Sequence, residues 1–188
     1  MLARRELVKA LLADRGDLLV VSGLGSPTYD VAAAGDDPRN FYLWGAMGGA
    51  AMVGLGLALA RPQQRVAVIT GDGEMLMGLG SLATIGVQQP SNLAVLVLDN
   101  EHYGETGMQA SHTHAGVDLA QIALGCRFKR AVRISEREEV EGARRLLYSE
   151  PGPVLIRAHV EINEEPKVLP SRDGCANKVR FIEALERG

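Results

Sequence analysis

Three short runs, Asp17–Ser22 (DLLVVS), Arg65–Thr70 (RVAVIT) and Asn92–Leu98 (NLAVLVL), are apolar almost without interruption. Successive side chains of a strand point to opposite faces, so a strand can be apolar throughout only if both faces are covered. Helical patterns fall between the runs. The amphipathic N-terminal stretch MLARRELVKALLADRG has interspersed charges and no signal-peptide core, and the Ser-Pro of GLGSPT marks a helix start. Helices are also expected over Met47–Ala60, Leu79–Gln89 (halted by Pro90) and Val117–Leu124. A further one spans Ser135–Tyr148, opened by a capping box of Ser135 and Glu138. Phe41–Trp44, Lys129–Ile134 and Pro153–Ala158 (PVLIRA) complete the expected strands. The pattern predicts one α/β domain over residues 1–188, a parallel sheet with helices on both faces. An extended arm, Glu161–Ala176 with Pro166 and Pro170, leads to a last helix over Asn177–Arg187.

Composition narrows the function. A net charge of −3 with no basic run argues against a nucleic-acid partner. The longest apolar segment, Ala46–Ala60, is too short for the roughly 20 residues that cross a bilayer. Cys126 and Cys175 lie far apart and form no CxxC, which reads as a reducing, cytoplasmic setting without an iron–sulfur or zinc site.

Two of the apolar runs end in chemistry. Arg65–Thr70 runs into Gly71-Asp72-Gly73, and Asn92–Leu98 into Asp99-Asn100, with Gly104 and Gly107 close behind. In an open parallel sheet, ligands sit beyond the carboxyl ends of the strands. Twenty-six residues, Glu74 to Asp99, separate Gly73 from Asn100, which is the length of one crossover helix with its turns. Neighbouring strands would bring the two ends to about 5 Å, and an intervening strand to about twice that. Carboxylate and amide oxygens are hard donors suited to Mg²⁺, which takes six oxygens and commonly accepts several from phosphates. Gly71 and Gly73 permit close backbone approach to an anion. The arithmetic points to a Mg²⁺-held diphosphate. Singly, a GDG is usually a turn and an Asp-Asn a helix cap; the spacing and the glycine-rich DNEHYGETG make the pair specific.

GDG, 26 residues and then Asn resembles the thiamine-diphosphate (ThDP) motif of the ThDP-dependent enzymes. FYLWGAMGGAAMVGLGLALARP looks like the segment that precedes this motif in the pyruvate-decarboxylase-like group. DNEHYGETGMQ is most similar to the sulfopyruvate and phosphonopyruvate decarboxylases. The resemblance covers nearly the whole chain and implies a ThDP-binding fold of the pyrophosphate-binding (PP) type. It implies Mg²⁺ ligands at Asp72, Asn100 and the carbonyl of His102. It assigns the diphosphate to Gly71, Gly73 and Glu74, to the loop around Glu105, and to Gly25 and Ser26. Met47 would wedge between the cofactor's two rings, and the carbonyl of Gly45 would accept from its 4′-amino group. The activity implied is decarboxylation of a small 2-oxo acid, with ThDP as electron sink.

The same resemblance exposes a gap. Such enzymes hold ThDP between two domains, and the second, pyrimidine-binding (PYR) domain supplies an activating glutamate. Glu74, Glu101 and Glu105 all belong to the wrong half. The implied assembly is a split enzyme in which this β-type subunit meets a PYR-domain α subunit, as an α2β2 or larger hetero-oligomer. His102, Glu105 and His112 are candidates for proton transfer, His114 lies beside them, and solvated loop residues are the simpler reading of His112 and His114. Glu105 stands where the family often has a small hydroxyl residue, and an acidic side chain there disfavours an acidic substrate. Arg157, Lys167 and Arg172 are candidates for a partner or anionic-substrate contact, and Trp44 for the core. Rival readings are a carboligase or a 2-oxoacid oxidoreductase subunit of the same superfamily, or a non-catalytic nucleotide-binding domain.

Overall fold

The structure, a computed structural model, describes residues 1–163 and 165–186. Its strands are β1 (Leu19–Ser22), β2 (Asn40–Tyr42), β3 (Val66–Gly71), β4 (Leu93–Asp99), β5 (His102–Tyr103), β6 (Gln109–Ala110), β7 (Arg130–Ile134) and β8 (Val154–His159). Its helices are α1 (Arg4–Leu12), α2 (Ser26–Ala33), α3 (Ala50–Ala60), α4 (Asp72–Met77), α5 (Gly80–Gln88), α6 (Leu119–Gly125), α7 (Val140–Tyr148) and α8 (Gly174–Glu186). Six strands form one sheet in the order β2-β1-β3-β4-β8-β7, and every pairing is parallel. The short β5 and β6 pair antiparallel as a separate hairpin.

The pleat sorts the apolar runs into two cores. Val20, Ile69, Leu96 and Ile156 face α1, α2 and α7, whereas Val21, Val68, Val95 and Leu155 face α3, α5, α6 and α8. All seven residues of β4 are buried, as expected of a central strand covered on both sides. The small residues of α3 serve this packing. Ala50, Ala51, Gly54 and Ala58 are buried, and a Cβ at Gly54 would collide with Val68 of β3.

Several boundaries differ from the sequence expectation. The Ser135–Tyr148 segment opens with a single 3₁₀ turn, and its capping box is Glu136 with Glu139, one residue beyond the Ser135–Glu138 pair. Glu139 accepts the amides of Ser135 (2.7 Å) and Glu136 (3.0 Å), so the longer acidic side chain closes the box. Residues Asp72–Met77 form a helix of their own that the sequence reading left out. The last helix starts at Gly174 rather than Asn177, because Asp173 caps it by accepting the amide of Ala176. The arm preceding it lies back on the fold: Arg5 donates to the carbonyl of Pro166 (2.8 Å) and Trp44 Nε1 to that of Ser171 (3.0 Å). Glu164 and Arg187, part of the expected arm and final helix, lie outside the described residues. No helix among the described residues is long and apolar enough to cross a membrane.

Candidate active site at the carboxyl edge of the sheet

β3 and β4 are neighbours in register, Gly71 opposite Leu98, so Asp72 and the Asp99-Asn100 pair leave the sheet side by side. This decides between the two spacings open to the sequence. Gly71 is the residue before α4, which makes Asp72, Gly73 and Glu74 its first turn, where backbone amides have no acceptor within the helix. A Cβ at Gly73 would lie 2.5 Å from the Tyr103 ring, so glycine is needed for the hairpin to close over this turn.

Asp72 is buried, at 2% exposure. Ser111 Oγ donates to its Oδ2 at 2.5 Å, and Thr113 Oγ1 lies 3.2 Å from the same oxygen. Thr113 also bonds Asp99 Oδ1 at 2.8 Å. Burial, reinforced by the nearby charge of Asp99, pushes the Asp72 carboxyl up to about 6 against the pull of the two hydroxyls. Asp99 itself is fully buried and held by the guanidinium of Arg157 through Nε. Arg157, a candidate for substrate or partner contact on sequence grounds, is therefore committed to the interior.

Asn100 Oδ1 accepts the amide of His102 (3.1 Å), and His102 Nδ1 turns back to the carbonyl of Asn100 (2.9 Å). Between them Glu101 adopts a left-handed conformation, φ 62°. Its amide bonds Asp99 Oδ1 at 3.0 Å and its carbonyl accepts the amide of Ser111 at 2.8 Å. The carboxylate of Glu101 lies within 3.3–3.7 Å of His114, His159 and Arg157, and Glu101 does not line the cleft at the sheet edge.

A cleft of about 70 Å³ lies at this edge, lined among others by Ser26, Asp72, Gly73, Asn100, His102 and Glu105. Leu24, Gly71 and Glu74 line it too, so the GDG turn and the loop after β4 converge as their spacing implied, and the loop after β1 joins them as the resemblance implied. A Cβ at Gly25 would lie 2.8 Å from Glu105 Cγ, and Gly25 has φ 75°, so this first loop and the Glu105 turn meet with space for a glycine alone. A wider recess of about 420 Å³ continues from the cleft, sharing Arg4, Ser26, Asn100, Gly104 and Glu105 and adding Lys167. Arg4 is buried and paired with Asp30, which Arg5 also holds at 3.1 Å.

Gly45 and Met47 do not line the cleft. They lie on the loop between β2 and α3, Gly45 at φ 72°. The side chain of Glu74 connects that loop to the cleft. Buried at 4% exposure, it accepts from Thr70 Oγ1 (2.8 Å), the amide of Leu24 (3.0 Å) and the amide of Ala50 (3.4 Å). His112 and His114 are exposed; Nδ1 of His112 is 3.3 Å from the Tyr103 hydroxyl. Lys167 and Arg172 stack over Tyr29 and Trp44 at 5.6 and 5.5 Å. Trp44 packs against the core as a half-buried side chain, with the arm lying over its indole nitrogen.

Ser111, Thr113, Asp99 and the Glu74 side chain were not singled out from the sequence. The signal in it is faint: two small hydroxyl residues, Ser111 and Thr113, alternate with His112 and His114 shortly after the DNEHYGETG stretch.

Residues 25–158 match the family described as thiamine pyrophosphate enzyme, C-terminal TPP binding domain. The chain belongs to this family. The matched span runs from the Gly25 loop to Ala158 in β8 and contains the residues that line the cleft except Leu24 and Arg4. Thiamine pyrophosphate, the same molecule as ThDP, is thus the cofactor of the fold, and the α/β expectation from the apolar runs holds. The chain is 36% identical to sulfopyruvate decarboxylase subunit beta of Methanocaldococcus jannaschii over 193 residues, covering 98% of this chain and 97% of that one. It is 38% identical to phosphonopyruvate decarboxylase of Streptomyces viridochromogenes over 160 residues, 82% of this chain but 40% of that protein. Among solved structures, a thiamin diphosphate-dependent enzyme from Mycobacterium smegmatis superposes with TM-score 0.73 at 19% identity, over 86% of this chain and 32% of that one.

The donor set fits the TPP-enzyme cofactor. Asp72 and Asn100 offer hard oxygens from adjacent strand ends, and the glycine turns leave backbone room for an anion. Among the described residues no cluster of three or more His, Cys, Asp or Glu side chains is arranged for a metal. A cation here would therefore complete its shell from amide, carbonyl and phosphate oxygens.

Proposed function

We propose that this chain is the ThDP-binding subunit of a split 2-oxo-acid decarboxylase, a lyase active with a partner subunit. The observation that carries the reading is the difference in coverage. The chain spans 97% of a relative named as a beta subunit but 40% of the decarboxylase that is not named as a subunit. Residues 1–188 would act as one PP-type domain.

In this reading Asp72, Asn100 and the His102 carbonyl would hold Mg²⁺, which would supply the positive charge that offsets the cofactor's diphosphate. The amides of Gly73 and Glu74 take that diphosphate from one side, and Ser26 with the Gly25 and Glu105 loops from the other, with Gly71 setting the turn. Met47 and the carbonyl of Gly45 orient the rings. ThDP, when bound, supplies the electron sink for loss of CO₂. A PYR-domain α subunit brings the activating glutamate, in an α2β2 or larger assembly. His102 and Glu105, both at the cleft, and the more distant His112 are the groups of this chain available to hold a proton near the substrate. The relatives' names point to a small 2-oxo acid with an anionic tail.

Calorimetric titration of ThDP with Mg²⁺ tests this, on the chain alone and with a co-expressed PYR-domain chain, with Asp72→Ala as control. Binding that tightens with the partner and vanishes in the variant supports the reading. Full turnover by the chain alone would end the split-site idea, and no binding in either setting would end the cofactor assignment.

A further inference from the structure

Two buried hydroxyls join the carboxylates at the ends of β3 and β4. Ser111 and Thr113 are each 3% exposed, two positions apart, and 2.8 Å from one another. Ser111 Oγ reaches Asp72 Oδ2 at 2.5 Å, and Thr113 Oγ1 reaches Asp99 Oδ1 at 2.8 Å and Asp72 Oδ2 at 3.2 Å. Both engage Oδ2 of Asp72 and neither engages Oδ1. The segment carrying them is pinned from behind, because the Ser111 amide donates to the Glu101 carbonyl at 2.8 Å. Asp99 is fixed in turn by Arg157.

We infer that Ser111 and Thr113 are positioning residues for the cation site: they hold Asp72 in the one orientation that gives its Oδ1 to Mg²⁺. The inference rests on the ThDP–Mg²⁺ reading above. Its physical basis is that a carboxylate ligand whose second oxygen is hydrogen-bonded has fewer orientations to lose when the metal arrives, and that such outer partners are commonly worth ten- to a hundredfold in metal affinity. The same bonds reach the cleft loops from behind. Ser111 directly follows β6, whose partner strand β5 carries His102, and the turn bearing Glu105 lies between the two strands. Asp72 and the hairpin therefore move as one piece, and metal binding should order both.

The test is Mg²⁺ titration of the full chain at saturating ThDP by calorimetry, repeated with Mn²⁺ read by electron paramagnetic resonance. Ser111→Ala and Thr113→Val should each raise the metal midpoint about tenfold, and the double variant about a hundredfold. Ser111→Thr and Thr113→Ser, which keep the hydroxyl, should bind like the parent. Saturating metal should restore ThDP binding in the alanine variant, which a misfolded chain would not allow. If Thr113→Val fails to fold, Ser111→Ala against Ser111→Thr decides alone. Unchanged midpoints in Ser111→Ala, while Asp72→Ala abolishes binding, would overturn the positioning role and leave the cofactor reading intact. A parent chain that takes up neither metal nor ThDP, with or without a PYR-domain partner, would overturn both.

Discussion

The carboxylate of Glu74 accepts the backbone amide of Leu24 at 3.0 Å across 50 positions of sequence. Its other oxygen takes the amide of Ala50 at 3.4 Å, and Thr70 Oγ1 supports it at 2.8 Å. One side chain thus ties the loop after β1 and the loop before α3 to the GDG turn. Those are the three segments assigned to diphosphate, rings and metal. Glu74→Ala would strand two amides, each a loss of about 1–3 kcal/mol when buried. The expected outcome is a lower melting temperature and weaker ThDP binding, with Glu74→Gln between the two; wild-type affinity in Glu74→Ala would remove the staple from the account.

Gly73 and Tyr103 should behave as a coupled pair. Gly73→Ala drives its Cβ into the Tyr103 ring, 2.5 Å away, and should displace the hairpin that carries His102. Removing the ring in Tyr103→Ala relieves the clash. A double-mutant cycle on ThDP affinity should therefore show favourable coupling of about 0.5–3 kcal/mol, whereas additivity would mean that the hairpin does not close on the GDG turn.

Asp72 sets a pH dependence with a definite sign. Its carboxyl is raised from the usual carboxylate range to about 6, so the folded metal-free chain holds this proton more tightly than the unfolded chain does. The resulting stabilisation is fully present below pH 4 and is lost as pH rises through about 6. It is of order 1–3 kcal/mol. Asp72→Asn should remove that slope in chemical denaturation measured at pH 5 and pH 7 without metal. Mg²⁺ must displace the same proton, so its affinity in the parent should fall steadily as pH drops below about 6.

Arg157 is the counter-ion of Asp99 and should act on stability before activity. Arg157→Met leaves a fully buried carboxylate without its partner, which costs about 3–5 kcal/mol in comparable buried pairs. Asp99→Asn in the same chain should recover much of that loss in urea unfolding. A variant of normal stability that had lost 2-oxo-acid affinity would instead restore Arg157 to the role of substrate contact.

The elements that were legible in the sequence are those governed by local pattern. Apolar runs such as RVAVIT and NLAVLVL predict buried parallel strands because no other arrangement hides both faces. Gly71-Asp72-Gly73 and Asn100 could be placed at one sheet edge because a strand end and a crossover length are properties of the chain itself. The resemblance carried Gly25, Ser26 and Glu105 to the same place, and the cleft brings their loops together. The capping box slipped by one residue, and the α4 turn was missed, because a six-residue helix has too few turns to show a period.

What the sequence by itself determined is the layer architecture, the edge at which the chemistry sits and the types of oxygen offered there. Whether Arg157 faces inward, which oxygen of Asp72 is taken by Ser111 and Thr113, and that Glu74 fastens three loops were decided only in three dimensions. Each depends on contacts between residues 24 to 58 positions apart, or on which way a side chain turns at a buried carboxylate. Hydrophobic periodicity is written along the chain, whereas partners for buried charges are found across it, and their desolvation makes the tertiary neighbour rather than the sequence neighbour decisive.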